Sequence, residues 1–392
     1  MDTPRRAGWP QGLVVIMVGI LPMMAIVTLM PIVPALVKNF QHVPGILTLA
    51  PLVLSAPGLC VALFSPFAGI LADRIGRRRL LLVFTTLYGI GGVLPYFLSN
   101  FEALMGSRLL LGVGEAFILT LGNTLVGDYF EKDERTKWLA WQSFVGPLLG
   151  ALLLTTSGRL STIQWSLPFL IYGVALVMAA FAYFTAFEPQ RVAARPAGTV
   201  ASGAAAIPFP TLLMSRIAVT TFVLAAVYFV YTLQFSMALD AMGVKDGGAI
   251  GTYSGIAAIG VPVGAILFRF VARRSTVFQF TLVFTLLGLG MIGIGLNLGV
   301  RSTVAMAWIQ QLGSGMTIPV LLSWSLRELP VQFRGRGMGW WASAFFLGQF
   351  VSPLFVSFVN SWSGGLLNTF AVAGCLCVAI AVGNAFVQRR TV

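Results

Sequence analysis

Charge is what this sequence has least of. Only 9% of its 392 residues are Asp, Glu, Lys or Arg, 57% are hydrophobic, and mean hydropathy is +0.89. A soluble domain carries about 25% charged residues. There is too little polar surface here for a water-soluble globule, so the chain reads as an integral membrane protein. Histidine is nearly missing: His42, in a short loop, is the only one. That excludes a histidine-based triad and a His-rich metal site. Cysteine is scarce too. Cys60, Cys375 and Cys377 lie inside apolar runs with no CxxC spacing, as small packing residues do, and no metal site is expected. No nucleophile–base pair stands out, so an enzyme is not expected either.

What is there in quantity is long apolar segments. Twelve spans can be read: 11–37, 46–72, 79–98, 103–127, 138–157, 165–187, 211–239, 249–271, 277–297, 302–326, 337–360 and 366–388. Each is long enough to cross a bilayer as a helix. Arg5 and Arg6 precede the first, which is too long for the core of a signal peptide. Most connections are short, leaving no room for a docking or signalling domain.

The net charge of +13 could suggest nucleic acid, but its placement suggests topology. With the N-terminus on the cytoplasmic side, the outer loops carry only Lys38, Arg159, Lys245 and Arg301. Arg108 falls inside a span, and every other Lys and Arg falls on the cytoplasmic side. That bias places both termini in the cytoplasm by the positive-inside rule. The short loops suit a bacterial inner membrane.

The basic cluster after span two reads Gly69-Ile-Leu-Ala-Asp73-Arg74-Ile-Gly76-Arg77-Arg78-Arg79. This Gly-x-x-x-Asp-Arg-x-Gly-Arg-Arg pattern, between the second and third of twelve spans, closely resembles the signature loop of the major facilitator superfamily. The resemblance implies an all-α membrane fold of twelve helices in two pseudo-symmetric six-helix halves, with a substrate site between them near the midplane. Residues 1–187 would be the first half and 211–392 the second. The Pro-, Ala-, Gly- and Ser-rich stretch 188–210 would be a flexible linker. A decayed copy of the loop follows span eight, Gly264-x-x-x-Phe268-Arg269-x-x-x-Arg273-Arg274, with Phe268 in place of Asp73 and Val271 in place of Gly76. In the family, such a loop latches the cytoplasmic gate. Gly69, Asp73, Arg74, Gly76, Arg77 and Arg78 would form the latch here with Asp128 and Arg135 after span four. Asp73 would face Arg135 and the amino end of span eleven.

Charges inside spans are costly and are functional candidates by default. Span four holds two, Arg108 and Glu115, seven residues apart on one helical face. Their Cα atoms would be about 10 Å apart along the axis, within reach of two long side chains. Arg108-Leu-Leu-Leu-Gly112-Val-Gly114 also resembles the family's fourth-helix motif, whose Arg is linked to proton transfer in proton-driven members. Glu115 stands where the family usually has a small residue. An acid deep in the membrane suits a reversible proton carrier. A structural ion pair with Arg108, or contact with a cationic substrate, is the plainer alternative.

Span five reads Gly146-Pro147-Leu-Leu-Gly150, with Gln142 and Ala151 at the flanking glycine positions. It resembles the fifth-helix motif of antiporters, and it also suits ordinary close packing. Span one, with Pro22, Pro31 and Pro34, should be broken, and its end resembles that of drug:proton antiporters. For a substrate pocket, Gln142, Tyr228, Tyr231, Gln234, Tyr253, Gln311, Trp341, Phe345 and Gln349 give an apolar surface with polar anchors. Helix packing is the plainer role for any one of them. The resemblance implies a proton-coupled exporter of a small hydrophobic or amphiphilic compound, with no cofactor and the proton gradient as energy source. Its partners would be that small molecule and the lipid bilayer, not nucleic acid, and it would act as a monomer. An uptake symporter or facilitator, or a transporter-like sensor, are the alternatives.

Overall fold

In the bilayer core every backbone N–H and C=O must find a partner within its own segment or in a closed barrel, so apolar spans become helices. A computed structural model of the chain describes residues 7–189 and 210–390. The helices are α1 Trp9–Val27, α2 Val33–Asn39, α3 Ile46–Ile75, α4 Arg77–Val93, α5 Phe101–Tyr129, α6 Lys132–Ile163, α7 Val174–Thr185, α8 Thr211–Ala241, α9 Gly247–Ala258, α10 Gly260–Val271, α11 Thr276–Gly295, α12 Val300–Glu328, α13 Arg334–Ser363 and α14 Leu366–Arg390. They make twelve crossings, because α1 with α2, and α9 with α10, each form one interrupted crossing. Among the described residues, eleven crossings have an apolar window long enough to span a membrane. The exception is α12, whose centre carries Gln310, Gln311, Ser314 and Thr317, all buried.

Where a helix must start sharply, a side chain supplies the missing acceptor. Asn100 accepts from Ala103 N at 2.8 Å, and Asp246 accepts from Ala249 N at 2.6 Å. Each such cap contributes about 1 kcal/mol. Between α3 and α4 the chain turns on one residue, Gly76, at φ 106°, a backbone conformation that disfavours any side chain.

Three expectations from the sequence are corrected. The polar stretch after span four is not a loop: α5 runs to Tyr129 and α6 starts at Lys132, so Asp128 and Arg135 are helical. Acids in the first turn of α6, Asp133 and Glu134, favour an early start there. Span eight is not continuous but breaks at Ile259, just before Gly260 and Pro262. In span one, Pro22 is accommodated within α1, and the break falls at Thr28–Ile32. The stretch 190–209 of the expected linker lies outside the described residues.

Lipid tails are as apolar as leucine, so helices associate by close packing rather than by hydrophobic exclusion. Glycine positions show where. A Cβ on Gly112 would come within 2.6 Å of Pro57 Cα on α3, and one on Gly114 within 2.9 Å of the Phe84 carbonyl on α4. Helix α5 is thus wedged between α3 and α4. The first six crossings meet the last six chiefly through α3 against α13 and α6 against α9. At the arginine-poor end a Cβ on Gly158 of α6 would collide with the Gly247 carbonyl of α9, and one on Gly251 with the Leu154 carbonyl. Gly146, further along α6 toward the arginine-rich end, has nothing within 4 Å of its Cβ position. The two sets of helices are therefore packed backbone to backbone at one end and looser toward the other.

Candidate functional site

The close approach of α5 to α3 and α4 carries Arg108 and Glu115 into the interior, where they are 0% and 2% exposed. Arg108 Nη2 donates to the Gly91 carbonyl at 3.0 Å. Its guanidinium lies 4.9 Å from the centre of the Tyr172 ring and 5.5 Å from that of Phe169. Such contacts stabilise a desolvated cation by about 2 kcal/mol. The two sites within reach of Arg108 that sequence reasoning missed are therefore aromatic. Tyr88 and Tyr172, on α4 and just before α7, are both fully buried. Tyr88 donates to the Leu21 carbonyl at 2.6 Å, and Tyr172 to Ala25 at 2.9 Å. The Ala25 carbonyl is one of the last four of α1, which the helix leaves free, while Leu21 lies one turn further in. Ser157 of α6 donates to the Thr28 carbonyl in the break itself. A tyrosine in a long apolar run was the available signal.

Among the described residues Arg108 and Glu115 make no direct ion-pair contact. Arg108 Nε and Nη1 and Glu115 Oε2 are buried without hydrogen-bond partners. Glu115 still lies within electrostatic reach of Arg108. The site therefore holds a buried carboxyl oxygen without a hydrogen-bond partner, on a helix whose other buried ion, Arg108, donates to a backbone carbonyl instead.

The signature loop is held by segments that meet at the arginine-rich end of the first six crossings. Arg77 forms an ion pair with Asp128 and lies 3.8 Å from Asp73. Arg135 stacks over the end of α5, its Nη1 3.7 Å from the Cβ position of Gly127. Glu188, expected in a flexible linker, is instead part of this loop. Its carboxylate accepts from Arg77 N at 2.6 Å and Arg78 N at 2.9 Å, at the exposed amides that begin α4. Arg78 answers by donating to the Ala186 and Tyr183 carbonyls, both at 2.7 Å. Gly76 is pressed against the Glu188 carboxylate, and Gly69 has open space beside it. Arg74 ends α3.

Of the expected pocket residues, the structure brings four together. Trp341 stacks on Phe345 at 5.4 Å, and Tyr228 lies 6.1 Å from Phe345. One turn on, Gln349 of α13 packs against Gly58 of α3. The indole N–H of Trp341 and Oε1 of Gln349 have no partner. The others lie apart. Tyr231 stacks on Phe235 within α8, and Gln311 packs against Gly260 of α10. Gln142 covers Gly19 of α1, Tyr253 is half-buried on α9, and Gln234 lines a separate cavity. In the antiporter-like segment, Gly150 receives Met23 while Pro147 sits inside α6.

The sequence profile described as the Major Facilitator Superfamily matches residues 15–302. The chain belongs to the major facilitator superfamily. Members of that superfamily are integral membrane transporters rather than enzymes. Solved members of this superfamily share the architecture. A D-xylose-proton symporter superposes with a TM-score of 0.77 at 15% identity, covering 96% of both chains. A nucleoside transporter gives 0.75 at 12%, covering 96% of this chain and 98% of that one. At such identities the likeness shows the fold alone. In sequence, Protein spinster homolog 1 of Xenopus laevis is 29% identical over 34% of this chain and 26% of its own. The class B tetracycline resistance protein of Escherichia coli is 28% identical over 35% of this chain and 36% of its own. The bacillibactin exporter of Bacillus subtilis is 26% identical over 36% of each. The matched segments thus span roughly a quarter to a third of these relatives.

Proposed function

We propose that this major facilitator is a proton-coupled exporter of small hydrophobic or amphiphilic compounds. The observation that carries the reading is Glu115, an acid buried in a crossing with one oxygen unpartnered and a cation nearby that does not bind it. Protonation removes a buried charge, and release restores it beside Arg108. Either change biases how α5 sits against α3 and α4. Residues 1–187 and 211–392 would rock as two halves about the aromatic cluster of Tyr228, Trp341 and Phe345. The arginine-rich end would face the cytoplasm of a bacterial inner membrane, with the Asp73 loop as its gate. Similarity to a tetracycline resistance protein and to a bacillibactin exporter supports export.

The test is proton release from purified protein in detergent on adding tetracycline, for wild type and Glu115→Gln. Release in the wild type and none in the variant is the expected result. Release that survives the substitution moves the proton elsewhere. Asp73→Asn should impair turnover without loss of folded protein, and unchanged turnover would remove the latch.

One observation favours an uptake symporter or facilitator as the second reading. Among the described residues, nothing lies within 4 Å of the Cβ position of Gly146, central to the antiporter-like motif. The direction of proton-driven flux in inverted vesicles separates the two.

A further inference from the structure

Gln234 stands apart from the aromatic cluster. It lines a cavity of about 100 Å³ at the arginine-poor end, between α3, α8, α13 and the start of α14. That volume exceeds what one water needs. Its polar groups are Thr48, Gln234, Ser357 and Asn360, and its walls carry no charge. Gln234 is only 4% exposed. Thr48 Oγ1 and Ser357 Oγ share a hydrogen bond of 2.6 Å that ties α3 to α13. Asn360 Oδ1 is buried and has no partner. A buried amide oxygen left open is an acceptor waiting for a donor.

We propose that this cavity is a second ligand site, receiving an uncharged hydrogen-bonding group, an amide or hydroxyl, of a molecule moving between the two sets of helices. Asn360 Oδ1 accepts from the group, and the Gln234 carboxamide offers both a donor and an acceptor. Met237 and Val356 cover the first carbons behind it. An ion is disfavoured, because no charge in the lining would offset its desolvation. The path rests on the transport reading, but the site does not depend on Glu115 or on proton coupling.

The test uses the full chain in nanodiscs, with Cys60, Cys375 and Cys377 changed to alanine and Met237→Cys as a reporter in the cavity wall. Labelling by a small neutral maleimide is timed alone and with octanamide, octylammonium or octanoate. At about twice its dissociation constant, octanamide should slow labelling by about threefold, while the two charged compounds leave it unchanged. Gln234→Leu and, separately, Asn360→Leu should remove the protection. Equal protection by all three compounds, none by octanamide, protection surviving both substitutions, or a reporter that never labels would overturn the site. Protection that persists in Glu115→Gln supports the site whatever that substitution does to proton release, and proton release that survives the substitution counts only against the transport reading.

Discussion

The loop after the second crossing and the loop after the eighth occupy matching places, yet they are held by opposite chemistry. In the first, the acid Glu188 reaches the amides that open α4. In the second, Gln279 sits on the first turn of α11 and reaches back. Its Nε2 donates to the Val271, Ala272 and Arg274 carbonyls at 3.2, 3.0 and 3.0 Å. One loop satisfies orphan N–H groups with a charge, and the other satisfies orphan carbonyls with a buried neutral amide. The same contrast runs through the interior. The buried ions, Arg108 and Glu115, belong to the first six crossings, and the buried glutamines Gln234, Gln279, Gln310, Gln311 and Gln349 to the last six. Two repeats of one architecture have diverged into an ionisable half and a hydrogen-bonding half. Under the proposed function, proton handling would fall to the first and recognition to the second.

The largest effect that would break this contrast is at Arg108. Arg108→Ala removes the Gly91 hydrogen bond, two ring contacts and the cation nearest Glu115, and should cost about 3 kcal/mol. Adding Glu115→Gln should recover the electrostatic part of that, read as thermal melting in detergent. A double variant no more stable than the single would mean the two do not act on each other. Next is Gln279→Ala, which strips donors from three carbonyls and should cost about 1–3 kcal/mol, with no dependence on salt. Glu188→Ala should cost about 1 kcal/mol, shrinking in high salt, since an exposed charge at a helix start is screened. Equal salt sensitivity of the two loop variants would erase the difference between them. The smallest effect belongs to Gln310→Leu. Its Nε2 already lacks a partner, so the change should stay within about 1 kcal/mol of neutral.

Much of this was readable from residue order. Apolar runs separated by basic clusters give the crossings, and Gly76 between two arginine-bearing segments gives the turn. Arg108 and Glu115 could be singled out because ions are rare inside such runs. Their partners could not be read. Helical periodicity places both on one face of α5, but says nothing of what stands opposite. Arg108 turns to the Gly91 carbonyl and the Tyr172 ring rather than to Glu115, because α4 and the segment before α7 approach closer than the next turns of its own helix. Glu188 was missed for a similar reason: its role depends on chain more than a hundred residues earlier.

The sequence by itself determined how many times the chain crosses the membrane, where the basic loops fall and which few polar groups enter the apolar spans, since these follow from local hydropathy and residue type. Only the tertiary structure decided which polar groups meet, that Glu115 keeps an unpartnered oxygen, and that Gln234 and Asn360 share a cavity while Tyr228, Trp341 and Phe345 form a separate cluster. Those outcomes depend on which glycines let which backbones approach, and that is settled by helix against helix rather than along the chain.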